Sequence, residues 1–153
     1  MLDQILKLLG ASDQTPDRDR DGEPRLAIAA LLVEAAKSDG VYQEGERHVV
    51  AGLLRRLFGG GEAEAGQLLA AAERALAQSV QLFRFTHQIV EQVPPEQRVR
   101  IVEALWEAVY ADRILTPEED SLVRQVAGLL YVSDHDRGAA RLRVLKRLGI
   151  AAS

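Results

Sequence analysis

Two long segments of the sequence repeat each other, and no other feature constrains the fold as strongly. RLAIAALLVEAAKSDGVYQEGERHVV (25–50) aligns without a gap on RVRIVEALWEAVYADRILTPEEDSLV (98–123), with a constant separation of 73 residues. Identical residues occupy eight aligned pairs: Arg25/Arg98, Ile28/Ile101, Leu32/Leu105, Glu34/Glu107, Ala35/Ala108, Asp39/Asp112, Glu46/Glu119 and Val50/Val123. Each segment contains a helical pattern, a short acidic turn and a second helical pattern. The repeat, extended to 25–58 and 98–131, predicts two duplicated helix-turn-helix halves.

Apolar residues recur at helical spacing along almost the whole chain, and no stretch alternates as a strand would. This pattern predicts an all-α fold: one compact domain of about seven helices, preceded by a short N-terminal helix. We expect the seven helices near 25–38, 43–58, 62–77, 79–92, 95–111, 117–131 and 134–148. Gly59-Gly60-Gly61 should end the second helix, and Thr116-Pro117-Glu118-Glu119 should begin the sixth as a capping box. The aromatic residues expected in the core are Phe83, Phe85, Trp106 and Tyr110.

The chain divides into three segments. Residues 1–24 combine a short amphipathic helix with an acidic linker, 25–149 form the helical domain, and 150–153 are a tail. The linker stretch DRDRDGEP (17–24) begins like a calcium loop, but its twelfth position holds Ile28 where a bidentate Glu is needed. We therefore interpret the linker as solvated. The short N-terminal helix cannot bind a bilayer strongly by itself, so at most peripheral membrane association is expected.

Composition and spacing remove several classes of function. The 153-residue chain carries a net charge of −4 and offers no general attraction for nucleic acid. It has no cysteine, which excludes thiolate zinc sites and fits a reducing compartment such as the cytoplasm. None of the histidines His48, His87 and His135 has a Glu three residues before it, so a di-iron carboxylate site is not expected. The sequence also lacks a nucleophile elbow and a phosphate-binding glycine loop.

Three acids recur at the same spacing in both halves: Glu34, Asp39 and Glu46, then Glu107, Asp112 and Glu119. Glu34 interrupts an otherwise apolar helix, and a buried carboxylate needs a partner such as an Arg, backbone N–H groups or a metal. One interpretation is structural. Glu46 and Glu119 would belong to capping boxes, and Asp39 and Asp112 would accept hydrogen bonds from turn amides. The other is a divalent metal site for Ca²⁺, Mg²⁺ or Mn²⁺ rather than Zn²⁺, because those ions prefer oxygen ligands.

Three further segments follow one another in a specific order: LAIAALLVEAAKSDGVYQEGER, VQLFRFTHQIVE and VPPEQRVRIVEALWEAVYADRILTPEEDSLVRQVAGLLYVSD. In this order they resemble the TerB-like domains named for tellurite resistance, over residues 25–135. The resemblance implies a compact all-helical fold with duplicated halves. It also implies a metal site, in a protein of metal or stress response near the inner membrane. Carried over to this sequence, that site comprises Asp39, Glu46, Asp112 and Glu119, and extends to Glu34 and Glu107.

The second acidic turn departs from the family's Asp-Gly pattern. Asp39 is followed by Gly40, whereas Asp112 is followed by Arg113, a cation that could satisfy the carboxylate of Asp112 directly. If only one half binds metal, we expect it to be the half with Asp39 and Glu46.

These observations favour a non-enzymatic module that binds a divalent metal, acts in metal or stress response, and has a protein partner of unknown identity. Two alternatives stay open: a metal-free scaffold that works through its helical surfaces, and a hydrolase that uses Mg²⁺ or Mn²⁺ at the same acids. A homodimer is compatible with the sequence, and nucleic acid is not an expected partner. The expected location is the cytoplasm, with the inner membrane nearby as the resemblance implies.

Overall fold

The computed structural model of the protein describes residues 24–37, 42–78 and 82–151. Within these ranges the chain forms seven helices and no strand, so the predicted all-α fold is confirmed. The helices are α1 (Pro24–Lys37), α2 (Glu44–Phe58), α3 (Glu62–Gln78), α4 (Leu82–Gln92), α5 (Pro95–Val109), α6 (Pro117–Leu129) and α7 (Asp134–Leu148). None of them is long and apolar enough to cross a membrane. The predicted N-terminal helix, the acidic linker up to residue 23, and Asp39 lie outside the described residues, whereas Pro24 begins α1.

Local chemistry sets the ends of the helices. Thr116 Oγ1 accepts a hydrogen bond from Glu119 N at 3.1 Å, and Glu119 Oε1 accepts one from Thr116 N at 2.9 Å, so the predicted capping box is confirmed. Gly59 follows α2 with a φ of 74°, and its N–H donates to Arg55 O at 2.8 Å. The end of α6 differs, because Tyr131 has a φ of 59° despite its bulky side chain. Equivalent helix ends therefore use different residues.

The duplication extends beyond the predicted helix-turn-helix to a unit of three helices. In the first unit α1 packs against α3, as α5 packs against α7 in the second, and α2 or α6 completes each unit. α3 begins at Glu62 and α7 begins 72 residues later at Asp134, one residue less than the separation of 73 in the gapless alignment. A one-residue difference in a loop is enough to remove the third helix from a gapless alignment.

The two units meet through α1 and α5. The junction is reciprocal, because α2 also contacts α5 and α1 also contacts α6. This reciprocity indicates an approximate twofold relation between the units. α4 lies outside the duplication and packs against α1, α5 and α6. α1 is the central helix of the core, with ten of its fourteen residues buried.

A buried arginine on α5 joins two helix ends. Arg98 donates from Nε to Val93 O at 2.8 Å and from a terminal nitrogen to Val90 O at 3.1 Å. Its other terminal nitrogen donates to Leu130 O at 3.3 Å. These carbonyls lie at the C-terminal ends of α4 and α6, where the last carbonyls of a helix lack intrahelical donors. The contacts explain how a charged residue is accommodated at this buried position.

Three of the four aromatic residues expected in the core are buried. Trp106 is buried and donates from Nε1 to Arg137 O at 3.1 Å, and Phe85 and Tyr110 are buried as well. The prediction for Phe83 is wrong, because its side chain is exposed. Residues that are two positions apart in the sequence of a helix point about 200° apart around its axis. Phe83 therefore cannot share the inward face of Phe85.

Candidate functional site

Acids from both units meet at the junction between the units. Glu46 from α2, Asp112 from the turn after α5, and Glu119 from α6 line one small cavity, which we name the acidic pocket. Ala36 and Val109, near the ends of α1 and α5, line it too. Glu46 and Glu119 are aligned in the duplication, and so are Ala36 and Val109. The acidic pocket is therefore built from matching residues of both units.

Each of these carboxylates also accepts a hydrogen bond from a nearby main-chain N–H. Glu46 Oε2 accepts from Gln43 N at 3.3 Å, and Asp112 Oδ1 accepts from Ile114 N at 3.0 Å. Glu119 belongs to the capping box at the start of α6 and is buried. The capping and turn roles predicted for these three acids are confirmed. A carboxylate has two oxygens with several acceptor sites, so a cap and a cation ligand are compatible roles for the same side chain.

Of the other predicted ligands, Glu34 and Glu107 do not line the acidic pocket. Glu34 on α1 is partly exposed, so water can solvate its carboxylate and the predicted requirement for a buried partner does not arise. Glu107 lines a different cavity and pairs there with Arg56 and Arg147. Asp39 lies outside the described residues.

Arg113 does not pair with Asp112, so the proposed direct compensation is wrong. The backbone of Arg113 has a φ of 68°. Its guanidinium group donates to Leu148 O at 3.2 Å and to Gly149 O at 3.3 Å. These carbonyls end α7, where the helix dipole favours a cation. Arg113 therefore fastens the second acidic turn to α7 and leaves the charge of Asp112 uncompensated by its neighbour.

Glu73 on α3 fastens the start of α2, and sequence reasoning missed it. Glu73 Oε2 accepts from Tyr42 OH at 2.7 Å and from Arg47 Nε at 2.9 Å, and Oε1 accepts from Arg47 at 3.3 Å. Burial acts to raise the pKa of Glu73, but the hydrogen bonds from Arg47 and Tyr42 prevail and lower that pKa below 4.5. Burial and the hydrogen bond to Glu73 raise the pKa of Tyr42, so the phenol stays protonated. No local pattern in the alanine-rich α3 marks Glu73.

The chemistry of the acidic pocket fits a hard divalent cation. Its charged lining consists of carboxylates, and Ca²⁺, Mg²⁺ and Mn²⁺ prefer oxygen ligands. Its volume of about 10 Å³ admits one water-sized ligand. In the part of the chain that the structure describes, no three acids or histidines are spaced as a complete metal site. A bound ion would therefore need the carboxylates to draw together or a further ligand to join them.

One protein family matches most of the chain. The family described as Tellurite resistance protein TerB matches residues 25–142, from the first residue of the repeat into α7. The matched segment contains both acidic turns and all three acids of the acidic pocket. No curated protein and no solved structure matches the chain.

Proposed function

The chain belongs to the tellurite resistance protein TerB family, and on this premise we propose that it is a non-catalytic helical module that binds one divalent cation at the acidic pocket. The observation that carries the proposal is that Glu46, Asp112 and Glu119 line one cavity although they come from both units. Duplication does not by itself require acids of the two units to line one cavity. A cation bound among these carboxylates would compensate their negative charge.

We propose Ca²⁺, Mg²⁺ or Mn²⁺ as the ion. Zn²⁺ is disfavoured because its usual nitrogen and sulfur ligands are not among the residues of the acidic pocket. Asp39 is the residue that we expect to complete the coordination, because it is aligned with Asp112 in the duplication. The site would then have two carboxylates from each unit.

A cation at this position would connect the acidic turns of both units. Binding would stabilise the junction between α1 and α5, because a ligand that binds only the folded state shifts the equilibrium towards it. We propose that the module presents its helical surfaces to a protein partner during metal or stress response in the cytoplasm. The tellurite resistance in the family's description supports the stress response.

A metal-free scaffold is the second candidate, and one observation favours it. Each acid of the acidic pocket already accepts a main-chain hydrogen bond at the start of a helix or within a turn. Caps of this kind are worth about 1 kcal/mol each, which is enough to account for acids at these positions. The two candidates therefore differ in whether the charge of the acids is needed or only their acceptor oxygens.

Calorimetric titration of the chelator-stripped protein with Ca²⁺, Mg²⁺, Mn²⁺ and Zn²⁺ tests this difference. We expect saturable binding of one ion per chain, weakened about tenfold or more in the variant Glu46→Gln/Asp112→Asn. Both substitutions keep a side-chain oxygen that can accept the main-chain N–H, so the caps survive while two negative charges are removed. Glu118→Gln, an exposed position beside the acidic pocket, is the matched control and should bind like the wild type.

The opposite results are equally clear. If none of the four ions binds the wild-type protein, the metal proposal fails and the acids are caps of a scaffold. If the variant binds as tightly as the wild type, the ion lies elsewhere. Metal-dependent turnover of a panel of phosphoesters would contradict the non-catalytic assignment and favour a hydrolase.

A further inference from the structure

A second cavity, about 240 Å³ in volume, lies among α2, α5 and α7. Its floor is apolar and is formed by Leu53, Leu57 and Ala104. Its rim carries three arginines and two glutamates, and we name it the arginine pocket: Arg56, Arg100, Arg147, Glu103 and Glu107. The acidic pocket uses the first turn of α2 and the end of α5, whereas the arginine pocket uses later turns of α2 and the middle of α5. The two sites are therefore separate.

The charges on the rim of the arginine pocket are layered. The side chains of Glu103 and Glu107 are each 12% exposed. Those of Arg56 and Arg147 are 56% and 46% exposed. Arg147 donates to Glu103 Oε1 at 3.0 Å and to Glu107 Oε1 at 2.7 Å, and Arg56 also donates to Glu107. The carboxylates thus lie beneath the guanidinium groups, and a ligand that arrives from solvent meets positive charge first.

We propose that the arginine pocket binds a small organic oxyanion, a carboxylate or a phosphate attached to an apolar group. Three arginines pair with the two glutamates of the rim, so this group of ion pairs keeps a positive charge: Arg56, Arg143 and Arg147. A guanidinium group has five N–H donors, and towards the described residues Arg56 uses one of them and Arg147 uses two. The remaining donors suit the paired contacts that arginine makes with carboxylate and phosphate. The apolar group of the ligand covers the leucines of the floor.

Ion pairing within the protein does not account for the whole cavity. Arg56 and Arg147 are explained by their pairs with the two glutamates of the rim. The open space above the apolar floor is not explained by these pairs. The volume lies just below the range of about 300–1,000 Å³ that is typical of sites for larger ligands. It therefore suits a ligand about the size of one aromatic ring with its charged group.

Titration of the full chain with phenyl phosphate, followed by NMR of the methyl groups, tests the proposal. We expect saturable shifts at Leu53, Leu57 and Ala104, with a Kd of about 1 mM or below. A parallel titration with benzoate shows whether phosphate or carboxylate is the preferred anion. Benzyl alcohol carries the ring without the charge, and its affinity should be lower than that of phenyl phosphate by a factor of about ten or more.

Two variants test the rim and the floor independently. Arg56→Gln removes one exposed guanidinium group, and Ala104→Leu fills the floor without changing a charge. Each should weaken phenyl phosphate binding about tenfold. Arg124→Gln is the matched control, because Arg124 is an exposed arginine that pairs with Asp120 on α6, away from the pocket, and it should bind like the wild type. Circular dichroism and thermal melting show whether each variant is folded. If one of the two variants does not fold, the binding measured with the other tests the proposal.

Three results would overturn the proposal. The first is the absence of saturable shifts at the floor with both anions. The second is unchanged affinity in a folded Arg56→Gln or Ala104→Leu variant. The third is equal affinity for benzyl alcohol and phenyl phosphate, because the arginines would then contribute nothing to recognition.

Discussion

The described residues beside the two acidic turns are fastened by opposite chemistry in the two units. In the first unit the third helix supplies a side-chain acceptor, because Glu73 of α3 accepts hydrogen bonds from Tyr42 and Arg47. In the second unit the third helix supplies main-chain acceptors, because the C-terminal carbonyls of α7 accept from Arg113. Each unit thus has a polar connection between the residues beside its turn and its own third helix, made by different atoms.

The difference shows which parts of a duplicated fold must stay alike. The positions aligned with Tyr42 and Arg47 are Leu115 and Asp120, which cannot repeat the contacts with a carboxylate on the third helix. Asp120 pairs instead with Arg124 on its own helix. The buried stripes and the acids of the acidic pocket are shared, whereas the polar fastenings differ. Packing specifies the unit, and any set of hydrogen bonds that satisfies the polar groups of the turn is sufficient.

The largest expected effect is on the free energy of unfolding, and it compares the arginines that begin the two repeats. Arg98→Met removes the donors to three main-chain carbonyls and should lower the free energy of unfolding by about 3 kcal/mol. Arg25→Met should lower it by about 1 kcal/mol, because Arg25 is partly exposed whereas Arg98 is buried. Urea unfolding followed by circular dichroism measures both values. Equal losses in the two variants would contradict this asymmetry.

The next largest effects are changes in stability caused by substitutions at the ends of α2 and α6. Gly59 has a φ of 74° and a ψ of −160°, a conformation that is essentially restricted to glycine, so Gly59→Ala should cost about 2 kcal/mol. Steric contact adds nothing to this cost, because a Cβ at residue 59 meets no atom within 4 Å. Tyr131→Gly should stabilise the protein by about 0.5 kcal/mol, since relief of the left-handed conformation outweighs the added entropy of the unfolded chain. Thermal melting of both variants tests whether their effects have opposite signs.

The smallest effect concerns the fastening of the first turn and depends on pH. Glu73→Gln should lower stability by about 1 kcal/mol near neutral pH, because the contact with Arg47 is partly exposed and screened. The folded-state pKa of Glu73 lies below its usual 4.5, so the ionised carboxylate contributes stability that is fully present above 4.5. That contribution is lost as the pH falls through the folded-state pKa. The difference between wild type and variant should therefore shrink in acid.

Arg113→Ala is the matched measurement in the second unit. Alanine carries the same left-handed strain at this position, so the variant loses only the two hydrogen bonds to α7 and should cost about 0.5 kcal/mol. The acceptors of these hydrogen bonds are main-chain carbonyls and no carboxylate takes part, so this cost should not change in acid. A pH-independent effect of Glu73→Gln, or a pH-dependent effect of Arg113→Ala, would remove the distinction between the two fastenings.

The helices could be predicted from the sequence because their signals are local. All seven predicted ranges correspond to observed helices, and where the predicted ends fall on described residues the largest difference is two residues, at the ends of α5 and α6. The predicted start of the fourth helix at 79 lies outside the described residues. The capping box at Thr116 and the glycine after α2 were predictable from the same short-range chemistry. The third helix of the duplication was not, because α3 and α7 share few identical residues and the loops before them differ in length.

The candidate site was only partly predictable, because its assembly depends on how helices pack. Repetition pointed to Glu46, Asp112 and Glu119, and the structure brings these three together. It also pointed to Glu107, which the packing of α5 against α7 places beside Arg147 instead. Spacing along the chain identifies residues that match between repeats, but it does not say which of them face the junction.

The reciprocal junction of α1 with α5 has the form of an isologous interface, the kind that joins two identical subunits in a C₂ dimer. Here α4 connects the two copies covalently, so they are always present in equal number and at a high effective concentration. Identical subunits would have to carry the same turn twice. A covalent pair does not, and in this chain one unit is fastened through a carboxylate on α3 and the other through Arg113. The protein combines the geometry of a symmetric dimer with the sequence freedom of a heterodimer.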